Sequence, residues 1–461
     1  MTDLSPDQSK ALDYMLDWYA GIKADLRHCD GGDGCPAYPH THGDGRAPVM
    51  SLGGWAGSGK TTLMKELDRQ LTGDAVFGTP THKAAGVLRS KLPGDQSVRV
   101  RTYHSLVYHM HGIFRCSITG AVVTKQEGSC TCGQSDACEC PMRFDPCGKG
   151  ATHTCHITQE LKPERRQYLG GHRDIVIIDE SSMLSKAQVE DVRSFGVPVL
   201  LVGDAGQLPP IKDAMNPWTM NPDVELTEIH RQGADSGILQ AAHEVRKEGA
   251  MLHASYGRGD AVRIRRDGPH FNALLERFTP GPERALITYT NSLRSTFNRA
   301  YHGEGPPREG DRVVALGGRP YEADLVELTG TGFRLLGTVI QVHNGMSGTL
   351  RKASQRSIMT EMVVELDDHP LATPEQPVLV YIGAAPTAQF GAQGELPYNS
   401  PQRPKGSHLW DYAYALTAHK AQGSEFNQVI VMDQRPPEYQ QWMYTALTRA
   451  SQAVVAVAYA R

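Results

Sequence analysis

Apolar residues along this chain fall into short runs, and several are closed by glycine, serine or an acidic pair where the polar chemistry begins. Residues 49–52 read as a strand running into a glycine-rich turn and then a helix over 60–71, and residues 75–79 read as a second strand leading through Pro80-Thr81 into another helix. The runs 174–178 and 197–202 are continuously apolar at their centres, as suits parallel strands buried on both faces. Ser5-Pro6-Asp7-Gln8 combines an N-cap, a proline at the first helical position and a glutamine that can close a capping box, which predicts a helix to about Leu26. The second half repeats the theme with apolar strands at 285–289, 412–416, 429–432 and 454–457, so two parallel α/β cores are predicted. Between them the runs 310–316, 337–342, 360–366 and 377–382 alternate or are β-branched and are separated by turns, which predicts a small β-barrel inserted in the second core. Residues 384–406, rich in Pro, Gly and Gln, read as a loop.

The polar positions closing these runs carry the candidate chemistry. Gly54-Trp55-Ala56-Gly57-Ser58-Gly59-Lys60-Thr61-Thr62 fits the phosphate-binding pattern G-x-x-x-x-G-K-[ST] between a strand and a helix. Glycines at 54, 57 and 59 let the backbone N–H groups of the turn, with Ser58, curl around a polyphosphate, and the helix start adds the positive end of its dipole. Lys60 would then reach the terminal phosphates and the Thr61 hydroxyl would hold Mg²⁺. The third buried run ends in Asp179-Glu180, at the sheet edge where ligands of parallel sheets bind; Asp179 would hold Mg²⁺ through water and Glu180 would orient the attacking water. The fourth ends in Gly203-Asp204-Ala205-Gly206-Gln207, which sets Gln207 at the same edge. Gln8 can cap its helix or read an adenine edge, and the sequence leaves both open. Arg101-Thr102-Tyr103-His104-Ser105 gathers hydroxyls, a base and an aromatic ring, as a nucleic-acid strand requires.

Composition changes this picture in two places. The chain has 461 residues, too many for one core, and a net charge of −4, so a nucleic acid would meet a local basic groove instead of a global field. A polar N-terminus and the lack of a long apolar run point to a cytoplasmic protein with no membrane partner. The nine cysteines are crowded: Cys29 and Cys35 stand near His40 and His42, and the other seven lie between Cys116 and Cys155. Few apolar residues occur from 124 to 156, so something other than an ordinary core must hold that stretch. Cys130, Cys132, Cys138, Cys140, Cys147 and Cys155 can supply one or two tetrahedral thiolate sites, with Zn²⁺ the first choice and an iron–sulfur cluster the alternative. Cys29, Cys35, His40 and His42 form a second possible set, with a spacing that fits no common finger.

The order GWAGSGKTT, PTHKAA, TYHS, IIDESSM, VGDAGQLPP, LTEIHRQ, TAHKAQGSEF and YTALTRA resembles the motif series of superfamily 1 DNA helicases, closest to the RecD- and Dda-like branch that moves 5′ to 3′. The resemblance implies two RecA-like P-loop NTPase cores, an SH3-like barrel in the second, and ATP with Mg²⁺ as substrate and cofactor. By position it implies Gln8 as the adenine reader, Lys60 and Thr61 as phosphate and metal ligands, and Asp179 with Glu180 as the metal–water pair. Gln207 would sense the γ-phosphate, Arg231 and Arg449 would clamp it, Gly423 and Glu425 would sit near the nucleotide and Gln422 near the strand. Thr81, His82, Thr102, His104, Thr290, Asn291, Thr417, His419 and Gln422 are the implied contacts to single-stranded DNA.

The departure from the family is the cysteine-rich segment, which stands where family members carry a short β-hairpin arm that splits the duplex. The expected division is 1–108 and 169–230 for the first core, 109–168 for a metal-held arm, 231–310 and 409–461 for the second core, and 311–408 for the barrel and its loop. The expected partners are single-stranded DNA and forked duplex, with a single-strand-binding protein or replisome component as a further candidate, for a monomer of phage or bacterial origin. An RNA helicase and a DNA-binding accessory factor with a decayed ATPase are the competing readings.

Overall fold

The computed structural model describes residues 4–27, 46–71, 73–92, 94–97, 99–116, 122–123, 157–166, 169, 173–211, 213–228, 236–316, 321–330, 332–355, 360–367, 376–384 and 408–458. Two compact units are present, one of residues 1–103 with 173–461 and one of residues 104–172.

The larger unit opens with α1 (Pro6–Arg27), which buries Ala11, Leu12, Met15 and Tyr19 at helical spacing against the first core. There follow β1 (Val49–Gly54), α2 (Lys60–Gln70), β2 (Ala75–Thr79), α3 (His82–Lys91) and β3 (Val100–Thr102). The chain then forms the smaller unit, in which β4 (Tyr108–Cys116) pairs antiparallel with β5 (Val122–Val123) and with β6 (Ile157–Arg165), Tyr108 opposite Arg165 and Cys116 opposite Ile157. Antiparallel strands therefore flank the cysteine-rich stretch: the segment expected to stand in place of a hairpin arm has hairpin-like strands at both ends.

Back in the larger unit, β7 (Ile175–Ile178), β8 (Val199–Gly203) and β9 (Val224–Leu226) complete a six-stranded, all-parallel sheet of order β3-β2-β7-β8-β1-β9. All of β2, β7 and β8 is buried, as their unbroken apolar runs require.

A second six-stranded sheet contains β10 (Ser255–Tyr256), β11 (Ala261–Arg265) and β12 (Arg284–Thr288). The chain leaves it for β13 (Arg312–Leu316), β14 (Tyr321–Leu328), β15 (Phe333–Val342), β16 (Ser347–Gln355), β17 (Thr360–Leu366), β18 (Leu379–Ala384) and β19 (Leu409–Tyr412), and returns for β20 (Ala415–Thr417), β21 (Phe426–Asp433) and β22 (Ala450–Ala458). The order is β10-β11-β22-β21-β12-β20, parallel except at β10. The excursion forms a seven-stranded antiparallel sheet of order β15-β14-β18-β17-β16-β13-β19. The apolar run 412–416, which reads as one strand in sequence, is thus split: Tyr412 closes the antiparallel sheet beside Val313, and Ala415 opens the parallel one beside Leu286. Arg294 to Asp411, at 2.7 Å and fully buried, fixes the point where the chain changes sheets. No described helix is long and apolar enough to cross a membrane.

Candidate functional site

β1 runs into the loop 55–59, and that loop runs into α2. Gly57 and Gly59 both sit at φ 81°, a left-handed conformation that glycine adopts without steric cost. A Cβ on Gly54 would lie 2.6 Å from Ser58 Oγ and 3.2 Å from Lys60 Cγ, so this turn closes only around a glycine. Lys60 Nζ donates to the carbonyls of Gly54 at 2.7 Å and Trp55 at 3.1 Å. From α1, Gln8 closes the capping box, accepting from Ser5 N–H at 3.0 Å and donating its own N–H to Ser5 Oγ at 3.2 Å. The same side chain donates through Nε2 to the Ser58 carbonyl at 3.1 Å, so it braces the phosphate loop as well as its own helix.

β7 delivers Asp179 and Glu180 at its C-terminal edge. Burial pushes the Asp179 carboxyl up to about 7, with the Glu180 charge adding to it, against the opposing hydrogen bond from Glu180 N–H at 2.9 Å and the charges of Lys60 and Lys91. Glu180 itself is left-handed, φ 55° and ψ 38°, which costs a residue with a Cβ roughly 1–2 kcal/mol. A strained residue at a sheet edge beside a buried carboxylate is a candidate for chemistry.

A cavity of about 150 Å³ brings Thr61, Asp179 and Glu180 into one space with Gly423, Glu425 and Arg449, which come from the second sheet's side. Lys91 and Glu425 span the same cleft at 3.2 Å. Arg449 is buried; its Nε donates to the Thr445 carbonyl at 3.1 Å and its Nη1 to the Ser424 carbonyl at 3.2 Å. Gln207 is buried too, and its Oε1 has no hydrogen-bond partner among the described residues. Gln422 donates to the Leu208 carbonyl at 3.3 Å, deep between the two sheets. Arg231 lies outside the described residues. Thr61 and Asp179 bring a hydroxyl and a carboxylate, hard oxygen donors of the kind Mg²⁺ takes, to one cavity, and the glycine-built turn fits a polyphosphate.

The threonines expected to meet a strand share one construction. Thr81 and Thr290 follow a strand and Thr417 ends one, and each caps a helix, their hydroxyls accepting from Ala84 N–H at 3.1 Å, Leu293 N–H at 3.2 Å and Lys420 N–H at 3.4 Å. In both sheets the strand's last threonine donates to the carbonyl of the capping one, Thr79 to Thr81 at 2.9 Å and Thr288 to Thr290 at 3.2 Å. This Thr-x-Thr turn is a signal present in the sequence and missed there. So is Gln434, whose Oε1 accepts from Tyr289 N–H at 2.8 Å and whose Nε2 donates to Thr290 Oγ1 at 3.1 Å. Asn291 and His419 lie in the first turns of the helices that Thr290 and Thr417 cap, and His82 stacks on His343, in the turn between β15 and β16, with ring centroids 3.1 Å apart. Thr102 ends β3 and is buried, whereas His104 belongs to the smaller unit.

Cys130, Cys132, Cys138, Cys140, Cys147 and Cys155 lie outside the described residues, as do Cys29, Cys35, His40 and His42. Among the described residues no group of three or more His, Cys, Asp or Glu could hold a metal ion.

Two family models match the chain: an AAA domain over residues 40–266 and a UvrD-like helicase C-terminal domain over residues 412–457. Among curated proteins, the ATP-dependent RecD2 DNA helicase of Deinococcus radiodurans is 28% identical over 341 residues, which is 66% of this chain and 41% of that one. The chain thus spans less than half the length of this relative. Among solved structures it is similar to the Bacteroides Pif1 helicase in complex with ADP-AlF3 and ssDNA, at 16% identity and a TM-score of 0.48, covering 100% of this chain and 94% of that one. The Pif1 helicase of Candida albicans is similar at 15% identity and a TM-score of 0.46, covering 100% and 95%.

Proposed function

We propose that the chain is a superfamily 1 helicase of the RecD-like group, an ATP-dependent DNA helicase that moves 5′ to 3′ along a single strand and parts duplex ahead of it; the AAA and UvrD-like helicase C-terminal matches and the likeness to a RecD2 helicase support the reading. The observation that carries the reading is the cavity in which Thr61, Asp179 and Glu180 face Arg449 across two parallel sheets. Lys60 binds the terminal phosphates, Thr61 and Asp179 hold Mg²⁺, Glu180 orients water, and Gln207 and Arg231 complete the γ-phosphate contacts with Arg449. Bound Mg²⁺ supplies charge neutralisation for the phosphates. An arginine brought across such a cleft is worth ~10³–10⁵ in rate, so cleft closure couples hydrolysis to movement of one core on the other.

In this reading residues 1–103 and 173–230 are the first RecA-like core, 231–310 and 413–461 the second, and the antiparallel sheet from β13 to β19 the family's SH3-like module. The capped turns at Thr81, Thr290 and Thr417 offer hydroxyls and backbone N–H groups to the phosphates of the strand. Hydrolysis is therefore expected to require Mg²⁺ and to rise steeply with single-stranded DNA, and Lys60→Ala to abolish it; a chain whose turnover ignores DNA would contradict the proposal.

The segment between β4 and β6 completes the proposal as a metal-held arm at the duplex junction, supported by the crowding of six cysteines in residues 130–155. Elemental analysis should find at least one zinc per chain, lost when Cys130, Cys132, Cys138 and Cys140 become serine. Protein without metal would remove zinc from the account.

A further inference from the structure

The phosphate loop is gripped from the second sheet's helices as well as from its own. Ala56 N–H donates to Tyr444 Oη at 2.8 Å, and Tyr444 Oη donates to Asp204 Oδ2 at 2.5 Å. The other carboxylate oxygen of Asp204 accepts from Arg246 Nη1 and from Gly206 N–H, the latter at 2.9 Å. Around this line the loop is packed closely: the Arg246 guanidinium lies 4.6 Å from the centre of the Trp55 ring, and His243 Nε2 is 3.3 Å from the Ala56 carbonyl. Tyr444 belongs to the helix Tyr439–Leu447, just ahead of Arg449, and Arg246 and His243 belong to the helix Gly237–Glu248. Both helices pack in the core of the second sheet.

Asp204 and Tyr444 are buried almost completely, so neither exchanges its partner for water. Burial, together with the Asp204 charge, holds the Tyr444 phenol far above its ordinary range. Its proton therefore stays on, pointing to Asp204, and its lone pair stays turned to Ala56 N–H. Beyond Asp204 the same segment is docked again, Leu208 N–H donating to Thr445 Oγ1 at 2.9 Å. One helix thus touches the phosphate loop through Tyr444 and the Gln207 segment through Tyr444 and Thr445, and the chain leaves it at Arg449.

We infer that the buried relay from Ala56 N–H through Tyr444 to Asp204 and Arg246 is a positioning device, which sets the phosphate loop and the Gln207 segment in register with the arginine that completes the hydrolytic site. Tyr444 and Asp204 are positioning residues, not groups that touch the nucleotide. The inference rests on the nucleotide reading of the preceding section. The first core can hold nucleotide by its own loop, whereas Arg449 must arrive in register only as the transition state forms, so the relay acts on kcat and spares KM.

The test uses the full-length protein with ATP, Mg²⁺ and a single-stranded oligonucleotide. Tyr444→Phe keeps the ring and removes only the hydroxyl, leaving Ala56 N–H and Asp204 Oδ2 short of a buried partner. Its DNA-stimulated kcat should fall by about tenfold or more, with KM for ATP within about twofold of wild type. Asp204→Asn should do the same, and the double variant should be no worse than the poorer single one, because the two act as a unit. A thermal melt in parallel shows that the variants are folded at the assay temperature, and an effect that followed the melting temperature instead of kcat would overturn the relay. So would a Tyr444→Phe protein with wild-type kcat, or one whose KM rises while kcat holds. A wild-type chain that hydrolyses no ATP would overturn the nucleotide reading itself, a result distinct from either.

Discussion

At the residue scale, Glu180 joins backbone strain to a place in the cavity. Its side chain lines the cavity beside Asp179 and its backbone is left-handed, the one such residue besides Arg435 that is not glycine among the described residues. Function and stability therefore pull in different directions at this position. In the role proposed for it Glu180 orients water through its charge; Glu180→Gln keeps the shape and removes that charge, so turnover should fall by about 10²–10⁴-fold with nucleotide binding retained. Glu180→Gly relieves the left-handed strain and should raise the unfolding free energy by roughly 1 kcal/mol while abolishing turnover. Denaturant melts and steady-state ATPase on the two variants check both halves; a glycine variant that is less stable would mean the strain is not there.

At the scale of elements, the turns that follow strands carry the nucleic-acid reading. Gln434, from the segment after β21, holds the Thr290 turn by both ends of its amide, so Gln434→Ala should leave Thr290 capping its helix but free to shift. Affinity for single-stranded DNA should weaken by about fivefold or more, with DNA-free ATPase unchanged; fluorescence anisotropy of a labelled oligonucleotide measures it, and unchanged affinity would detach that turn from the strand's path. The strands themselves were legible because burial on both faces leaves unbroken apolar runs, as at β2, β7 and β8. β14 was not: Tyr321–Leu328 exposes Glu322, Asp324, Glu327 and Leu328 and buries only Ala323 and Val326 fully, with Tyr321 and Leu325 half-buried against the core, too irregular a pattern to stand out. Thr61, Asp179 and Arg449, each part of a recognisable motif in the sequence, line one cavity. Sequence could not reveal Tyr444 or Asp204 as partners, because their contact spans 240 positions and depends on how two sheets face each other.

In the molecule as a whole, two largely parallel sheets meet at one cleft, an antiparallel sheet is inserted in the second, and paired antiparallel strands flank the cysteine-rich segment in sequence. Nucleotide in the cleft and a DNA strand over the capped turns would meet the same pair of sheets, so hydrolysis and stepping share one closure. The most direct test is strand separation, with ATP and Mg²⁺, of a duplex carrying either a 5′ or a 3′ single-stranded tail. The account predicts that wild-type protein unwinds the 5′-tailed duplex and not the 3′-tailed one, and that Glu180→Gln binds both and unwinds neither. Efficient unwinding from the 3′ tail, or unwinding that persists in Glu180→Gln, would contradict it.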